Sequence, residues 1–91
     1  IDGSNDEVMS LGDLPAKLRA FGFDLHEVAD GNDIEQVLAA YDAPTAPGKP
    51  KCILAHTVKG KGVSFMENQA GWHGKAPNAE QRAQALKELE G

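Results

Sequence analysis

The apolar run Cys52–Ala55 is the feature that most limits how this chain can fold. Four apolar residues without a polar interruption are typical of a strand that is covered on both faces, as in parallel sheets. The earlier segment Phe23–Val28 also has a strand pattern, and the turn-forming pair Asp30-Gly31 closes it. Because a helical pattern separates the two segments, we expect a right-handed βαβ crossover. The sequence therefore predicts an α/β fold with parallel strands.

Two helices are predicted before the second strand. The first spans roughly 13–21, where apolar residues recur at helical spacing after the N-cap candidate Asp13. The second begins after Asn32, because Asn32 and Glu35 have the spacing of a capping box, and its apolar residues fall on one helical face (Ile34, Val37, Leu38 and Tyr41). The proline-containing segment Ala43–Pro50 cannot continue this helix and is predicted to be a connection.

A long loop and a third helix complete the prediction. Four glycines, one proline and four charged residues are spread from about 57 to 78, which indicates a functional loop. The last helix is expected near 79–90, with Asn78 as its cap and Gln81 at the third position. The predicted chain thus has three helices and two strands. Two strands do not make a stable parallel sheet, because its edges would stay unpaired and its faces uncovered. The remaining strands are expected upstream or in another chain.

Composition narrows the classes of function. The 91 residues form at most one small domain, and nine Lys and Arg against fourteen Asp and Glu give a formal charge of −5. This balance argues against nonspecific binding to nucleic acid or to an anionic membrane. The apolar runs are too short to span a bilayer. A single cysteine, Cys52, allows no internal disulfide, and a cytoplasmic location fits best.

The segment Thr57–Gly62 is the first candidate binding element. It follows the predicted strand 52–55 at the end where open α/β sheets bind ligands. Its glycines let backbone N–H groups approach an anion, and Lys59 adds positive charge. The segment lacks the spacing of a P-loop, and basic glycine turns are more often plain surface. Both interpretations stay open from the residues alone.

The second candidate element is Trp72-His73, inside the predicted loop. A histidine can donate to a phosphate or exchange a proton with a substrate oxygen near neutral pH. Alternatively, Trp72 fixes the loop to the domain and His73 is merely exposed. His26 and His56 are interpreted as structural, and the three histidines are too dispersed for a zinc pattern. The acidic opening Asp2–Glu7 is interpreted as a solvated loop, so no metal site is predicted.

Several short motifs occur in a recognisable order along the chain, namely Ile1-Asp2-Gly3, Ala20-Phe21-Gly22-Phe23, Asp30-Gly31-Asn32-Asp33-Ile34, His56–Gly62 and Trp72-His73-Gly74-Lys75. In this order they resemble the transketolase family, especially versions whose N-terminal half is a separate polypeptide. The resemblance covers nearly the whole chain, and the succession of K-G-K-G and W-H-G-K is its specific part. It implies that residues 1–91 are the C-terminal part of the family's diphosphate-binding domain.

The resemblance also implies cofactors and site residues. In this family one α/β domain binds the diphosphate of thiamine diphosphate together with Mg²⁺, and a second domain or subunit binds the aminopyrimidine. Lys59 matches the lysine that contacts the cofactor, and His73 matches a catalytic histidine near both the diphosphate and the substrate's C1 oxygen. Ile1 is a further cofactor-binding candidate. The family's metal motif would end just upstream of Ile1, so no metal ligand is expected in this chain.

The activity implied by the resemblance is the transfer of a two-carbon ketol unit from a ketose phosphate to an aldose phosphate, as in the pentose phosphate pathway. The enzyme would be active only with its remaining segments, as an oligomer. Two alternatives remain: an enzyme like 1-deoxyxylulose-5-phosphate synthase, which uses pyruvate, and a noncatalytic assembly module of the same fold. Phe23 stands where Trp is common and Asn32 where His is frequent, and neither departure decides the chemistry.

Overall fold

A computed structural model describes all residues from Ile1 to Gly91. In chain order the elements are α1 (Asn5–Val8), α2 (Leu14–Ala20), β1 (Asp24–Val28), α3 (Ile34–Asp42), β2 (Lys51–Ala55), a short 3₁₀ helix (Ala70–Trp72) and α4 (Ala79–Leu89). The predicted α/β class is confirmed. The chain divides into two compact units: the βαβ unit, Leu11–Thr57, and the loop unit, which comprises Ile1–Ser10 and Val58–Gly91.

The βαβ unit is built around one parallel pair of strands. β1 and β2 pair in register from Asp24 opposite Lys51 to Val28 opposite Ala55, and α3 lies between them in the chain. Val28 is buried, as is Ala40 on α3. β2 is half-buried along its whole length, which agrees with the expectation that two strands alone leave the faces of the sheet open. A two-stranded sheet offers β2 a single neighbour, so much of its surface stays accessible.

The termini of α2 and α3 show how well local sequence signals work. Asp13 caps α2 as predicted, accepting the backbone N–H of Ala16 at 3.0 Å. The cap of α3 was predicted to be Asn32, and this was wrong: Asp33 accepts the N–H of Glu35 at 3.0 Å. Asn32 instead donates its own N–H to the side chain of Asp30 at 3.0 Å, which uses it in the preceding turn.

The apolar face of α3 is largely exposed. Ile34, Leu38 and Tyr41 share one face at helical spacing, as predicted, but their exposed fractions are 63%, 49% and 67%. The C-terminal end of the helix is fixed by the ammonium group of Lys51, which donates to the carbonyl oxygens of Ala40 and Tyr41 at 2.8 and 2.9 Å. The start of β2 thereby satisfies carbonyl groups that have no partner within the helix.

Two capping boxes define the helices of the loop unit. α4 has the predicted one: Asn78 accepts the N–H of Gln81 at 2.8 Å, and Gln81 accepts the N–H of Asn78 at 2.9 Å. The opening segment was expected to be irregular, but a box formed by Ser4 and Glu7 starts the four-residue helix α1. The spacing S-x-x-E is a known start signal and was overlooked. None of the helices is both long and apolar enough to cross a membrane.

Candidate functional site

Lys59 lies in a loop that is closed on itself. The backbone N–H of Asn68 donates to the carbonyl oxygen of Lys59 at 2.9 Å, which joins the two ends of the segment. Asn68 adopts a φ of 56°, in the left-handed region that asparagine tolerates better than most residues. Between these ends Val63 is buried, with only 6% of its surface exposed. The side chain of Lys59 is therefore presented from a folded loop and is itself exposed.

The glycines of this loop help to close it. Gly60 has a φ of 72°, and a Cβ there would lie 2.6 Å from the carbonyl oxygen of Met66. The N–H of Gly62 donates to the carboxylate of Glu67 at 3.0 Å. The N–H groups of Lys61 and Val63 donate to carbonyl oxygens within the same loop. The side chains of Lys59 and Lys61 are both exposed in this turn and remain available to an anion.

Trp72 fixes the second half of the loop. Its indole N–H donates to the carbonyl oxygen of Phe65 at 3.0 Å, and the two aromatic rings lie 5.5 Å apart at 59°. The ammonium of Lys75 sits 4.5 Å from the centre of the Trp72 ring, a cation–π contact. His73 follows directly, is exposed, and donates its backbone N–H to the carbonyl oxygen of Ala70 at 3.0 Å. Trp72 therefore holds the backbone that presents the imidazole.

Lys59, His73 and Ile1 all belong to the loop unit, but no hydrogen bond or ion pair joins their side chains. Ile1 is 80% exposed and lines a shallow pocket of about 240 Å³ together with Ser4 and Val8. The structure therefore places the three predicted site residues on one unit, without a hydrogen bond or ion pair between them.

The two histidines of the βαβ unit differ from His73, because the side chain of each contacts a carboxylate. His26 contacts the carboxylate of Asp24 at 3.0 Å through Nε2, and His56 contacts the carboxylate of Glu27 at 3.3 Å. The backbone N–H of Ala46 donates to Asp24 at 2.7 Å, and this bond, followed by the one from His26, lowers the pKa of the Asp24 carboxyl. Both imidazoles thus have carboxylate partners.

Sequence reasoning missed the contact of Glu88 and the reason for the glycine at position 31. Glu88 on α4 accepts two hydrogen bonds from Ser64, 24 positions away, and no local pattern announces such a pair. The turn at Gly31 was predicted, but the reason for its glycine was not. A Cβ there would lie 2.7 Å from Cγ2 of Thr57 and 2.8 Å from Cβ of Ala55. The turn after β1 therefore fits against the end of β2 only without a side chain.

Comparison with known proteins decides the family. The sequence profile described as "Transketolase, thiamine diphosphate binding domain" matches residues 1–91. The chain belongs to the transketolase family. The predicted family is therefore confirmed.

Individual relatives of this transketolase domain carry related names. The chain is 39% identical over 90 residues to a subunit of the apulose-4-phosphate transketolase of Phocaeicola vulgatus, covering 98% of this chain and 32% of the relative. It is 38% identical over 91 residues to the 6-deoxy-6-sulfo-D-fructose transketolase subunit SqwG of a Clostridium species, covering 99% and 33%. It is 39% identical over 71 residues to human transketolase-like protein 2, covering 77% and 11%. The chain thus spans about a third of the bacterial relatives' length.

The charges of the transketolase domain fit an anionic cofactor. The chain is acidic overall, but the stretch from Thr57 to Lys75 holds three lysines and a single glutamate. Within it, Lys59 and His73 are exposed donors. A diphosphate needs cationic and N–H donors of this kind. No group of three or more His, Cys, Asp or Glu side chains in the structure is arranged to hold a metal ion.

Proposed function

We propose that this chain forms part of the diphosphate-binding site of an enzyme that transfers a two-carbon ketol unit from a ketose phosphate to an aldose phosphate. The observation that carries the proposal is the state of Lys59 and His73. Both are exposed and their side chains make no hydrogen bond or ion pair, on a loop whose backbone is held by internal hydrogen bonds. Family membership supplies the cofactor class.

Each candidate residue has a role that its chemistry supports. The ammonium of Lys59 offsets phosphate charge through a charge-assisted hydrogen bond. The imidazole of His73 donates to the diphosphate, and gives a proton to or takes one from the substrate's C1 oxygen. Ile1 contributes an apolar contact to the cofactor. Thiamine diphosphate, when bound, supplies the electron sink that carbon–carbon cleavage requires. The residues of this chain supply charge, orientation and proton transfer.

The proposed enzyme needs further segments. Mg²⁺ would be held by ligands outside residues 1–91, and a second domain or subunit would bind the aminopyrimidine. Two relatives are named as subunits and are about three times as long as the matched region, which supports a partner in an oligomer. The exposed face of α3, formed by Ile34, Leu38 and Tyr41, is apolar surface that the remaining segments would bury.

The sugar and the location are the least constrained parts of the proposal. The relatives' names specify apulose-4-phosphate and 6-deoxy-6-sulfo-D-fructose, so related enzymes differ in their ketose. A sugar phosphate is the proposed substrate class for this chain, and a place in the pentose phosphate pathway stays a prediction. The cytoplasmic location also stays a prediction.

A donor comparison tests the proposed activity. The complete assembled protein, with thiamine diphosphate and Mg²⁺, is incubated with an aldose phosphate acceptor and either a ketose phosphate or pyruvate. We expect products lengthened and shortened by two carbons with the ketose phosphate and no turnover with pyruvate. Turnover with pyruvate as donor, and none with the ketose phosphate, would favour the 1-deoxyxylulose-5-phosphate synthase alternative. Failure of the assembled protein to bind the cofactor would favour a noncatalytic module.

The isolated chain provides a second test of the proposed organisation. Since the proposed metal ligands and much of the sheet lie outside residues 1–91, we expect no tight binding of thiamine diphosphate by this chain alone. Isothermal titration calorimetry with and without Mg²⁺ measures this directly. Micromolar, Mg²⁺-dependent binding by the isolated chain would contradict the need for further segments.

A further inference from the structure

Glu88 and Ser64 form a two-point contact that the proposed function does not use. Ser64 donates its backbone N–H to one carboxylate oxygen of Glu88 at 2.6 Å and its hydroxyl to the other at 2.8 Å. Glu88 belongs to α4, whereas Ser64 lies in the loop that Lys59 and Asn68 close. Two hydrogen bonds to one carboxylate fix orientation as well as distance.

Ser64 lies where the two halves of the loop meet. The residue before it, Val63, is buried, and the residue after it, Phe65, accepts the indole hydrogen bond of Trp72. Trp72 in turn directly precedes His73. The contact with Glu88 therefore acts on the backbone that links the turn of Lys59 to the segment of His73.

Glu88 is itself oriented for this contact. Gln84, one turn earlier on α4, donates its side-chain N–H to Oε1 of Glu88 at 2.8 Å. The hydrogen bond from Gln84, followed by those from Ser64, lowers the pKa of the Glu88 carboxyl. The group is thus an ionised acceptor near neutral pH, where charge-assisted bonds are stronger than neutral ones.

We propose that Glu88 is a positioning residue, which holds Ser64 so that the loop presents Lys59 and His73 in one conformation. This inference rests on the proposed function for its catalytic consequence. Its structural half, the restraint of the loop, is measurable separately. Glu88 itself has no role in touching cofactor or substrate.

The test compares three variants in the complete assembled enzyme. Glu88→Ala removes the acceptor. Glu88→Gln retains an oxygen for the Ser64 N–H and a donor for its hydroxyl. Glu90→Ala is the matched control, an exposed glutamate at the end of the same helix. Hydrogen exchange of residues 59–75, kcat at saturating cofactor and the Kd of thiamine diphosphate are measured for each.

Glu88→Ala should raise amide exchange across 59–75 by about tenfold, lower kcat by about tenfold and weaken cofactor binding, because both site residues lose one restraint. Glu88→Gln should remain within about threefold of the unmodified enzyme in all three measurements. Glu90→Ala should match the unmodified enzyme. If Glu88→Ala does not assemble, Ser64→Ala, which removes only the hydroxyl bond, should give smaller changes in the same direction.

Loop exchange in Glu88→Ala that equals that of Glu90→Ala would overturn the proposal, whatever the activity. Raised exchange with unchanged kcat and Kd would overturn it as well, since the contact would then be structural only. If the unmodified enzyme showed no ketol transfer, the proposed function would be refuted. The exchange data would still decide whether Glu88 restrains the loop.

Discussion

The two units of the chain differ in their regular structure, because the βαβ unit contains a strand pair and the loop unit contains no strand. In the βαβ unit the strands pair backbone to backbone, and the histidines His26 and His56 are held by carboxylates. In the loop unit, side chains bind backbone groups: Trp72 holds Phe65, Glu67 holds Gly62 and Glu88 holds Ser64. A loop held in this way keeps a fixed path while leaving selected side chains unpaired. Because Lys59 and His73 lie in the loop unit, the proposed function assigns the chemistry to that unit and a scaffold role to the βαβ unit.

Replacement of one histidine in each unit should give the largest difference in kcat between the units. In the complete enzyme, His73→Ala should reduce kcat by about 10²–10⁴-fold, because loss of one positioned acid–base group has that effect. Cofactor affinity should fall much less. His56→Ala, in the βαβ unit, is the control and should leave kcat nearly unchanged. Full recovery of rate by His73→Ala at saturating cofactor would show that His73 serves binding only.

Replacement of one glycine in each unit should lower the free energy of unfolding by different amounts. Gly60 and Gly48 have nearly equal φ angles, 72° and 75°, but a Cβ at Gly60 would strike Met66, whereas nothing lies within 4 Å at Gly48. Gly48→Ala should therefore lower the free energy of unfolding by about 1–2 kcal/mol, for backbone strain alone. Gly60→Ala should cost about 2–4 kcal/mol, because strain and overpacking add. Equal losses of unfolding free energy, measured by chemical denaturation, would show that the loop relaxes around the added methyl group at no energetic cost.

Acid should weaken both units through carboxyls whose pKa is lowered, which in the loop unit include Glu7, held by Ser4. Hydrogen bonds lower the pKa of Asp24 in the βαβ unit and of Glu88 in the loop unit. A carboxyl whose pKa is lower in the folded state stabilises the protein above its ordinary pKa of about 4, and this contribution is lost as the pH falls through the lowered value. Unfolding midpoints should therefore be steady from about pH 7 to 5 and fall below about pH 4.

Asp24→Asn and Glu88→Gln should each flatten the acid-dependent part of this curve. Neither substitution removes a tyrosine or tryptophan, so intrinsic fluorescence can follow the unfolding of all three proteins. An acid profile identical in both variants and in the unmodified protein would show that these two carboxyls contribute nothing to acid stability.

Local sequence signals predicted the elements of both units well. The strand pair, the cap Asp13 and the box of Asn78 and Gln81 depend on residues close together in the chain. The cap of α3 was missed by one position because Asn32 and Asp33 are both good caps, and the turn at Asp30 decides between them. Such competition is settled by backbone geometry, which a pattern of residue types does not contain.

Features that depend on distant residues were not predictable. Helical periodicity showed that Ile34, Leu38 and Tyr41 share a face, but not that the face is exposed, because exposure depends on what packs there. The motifs K-G-K-G and W-H-G-K located the candidate site within one loop. They did not show that Glu88 restrains that loop, since this contact spans 24 positions.

The central claim is that the loop unit, and not the βαβ unit, supplies the cofactor contacts of this chain. Calorimetric titration of thiamine diphosphate with Mg²⁺ into the complete protein tests it when Lys59→Ala is compared with Lys49→Ala, an exposed lysine of the βαβ unit. Loss of one charge-assisted phosphate contact should raise the Kd for Lys59→Ala by about 10–100-fold. Lys49→Ala should bind like the unmodified protein. Equal affinities for the two variants would contradict the claim.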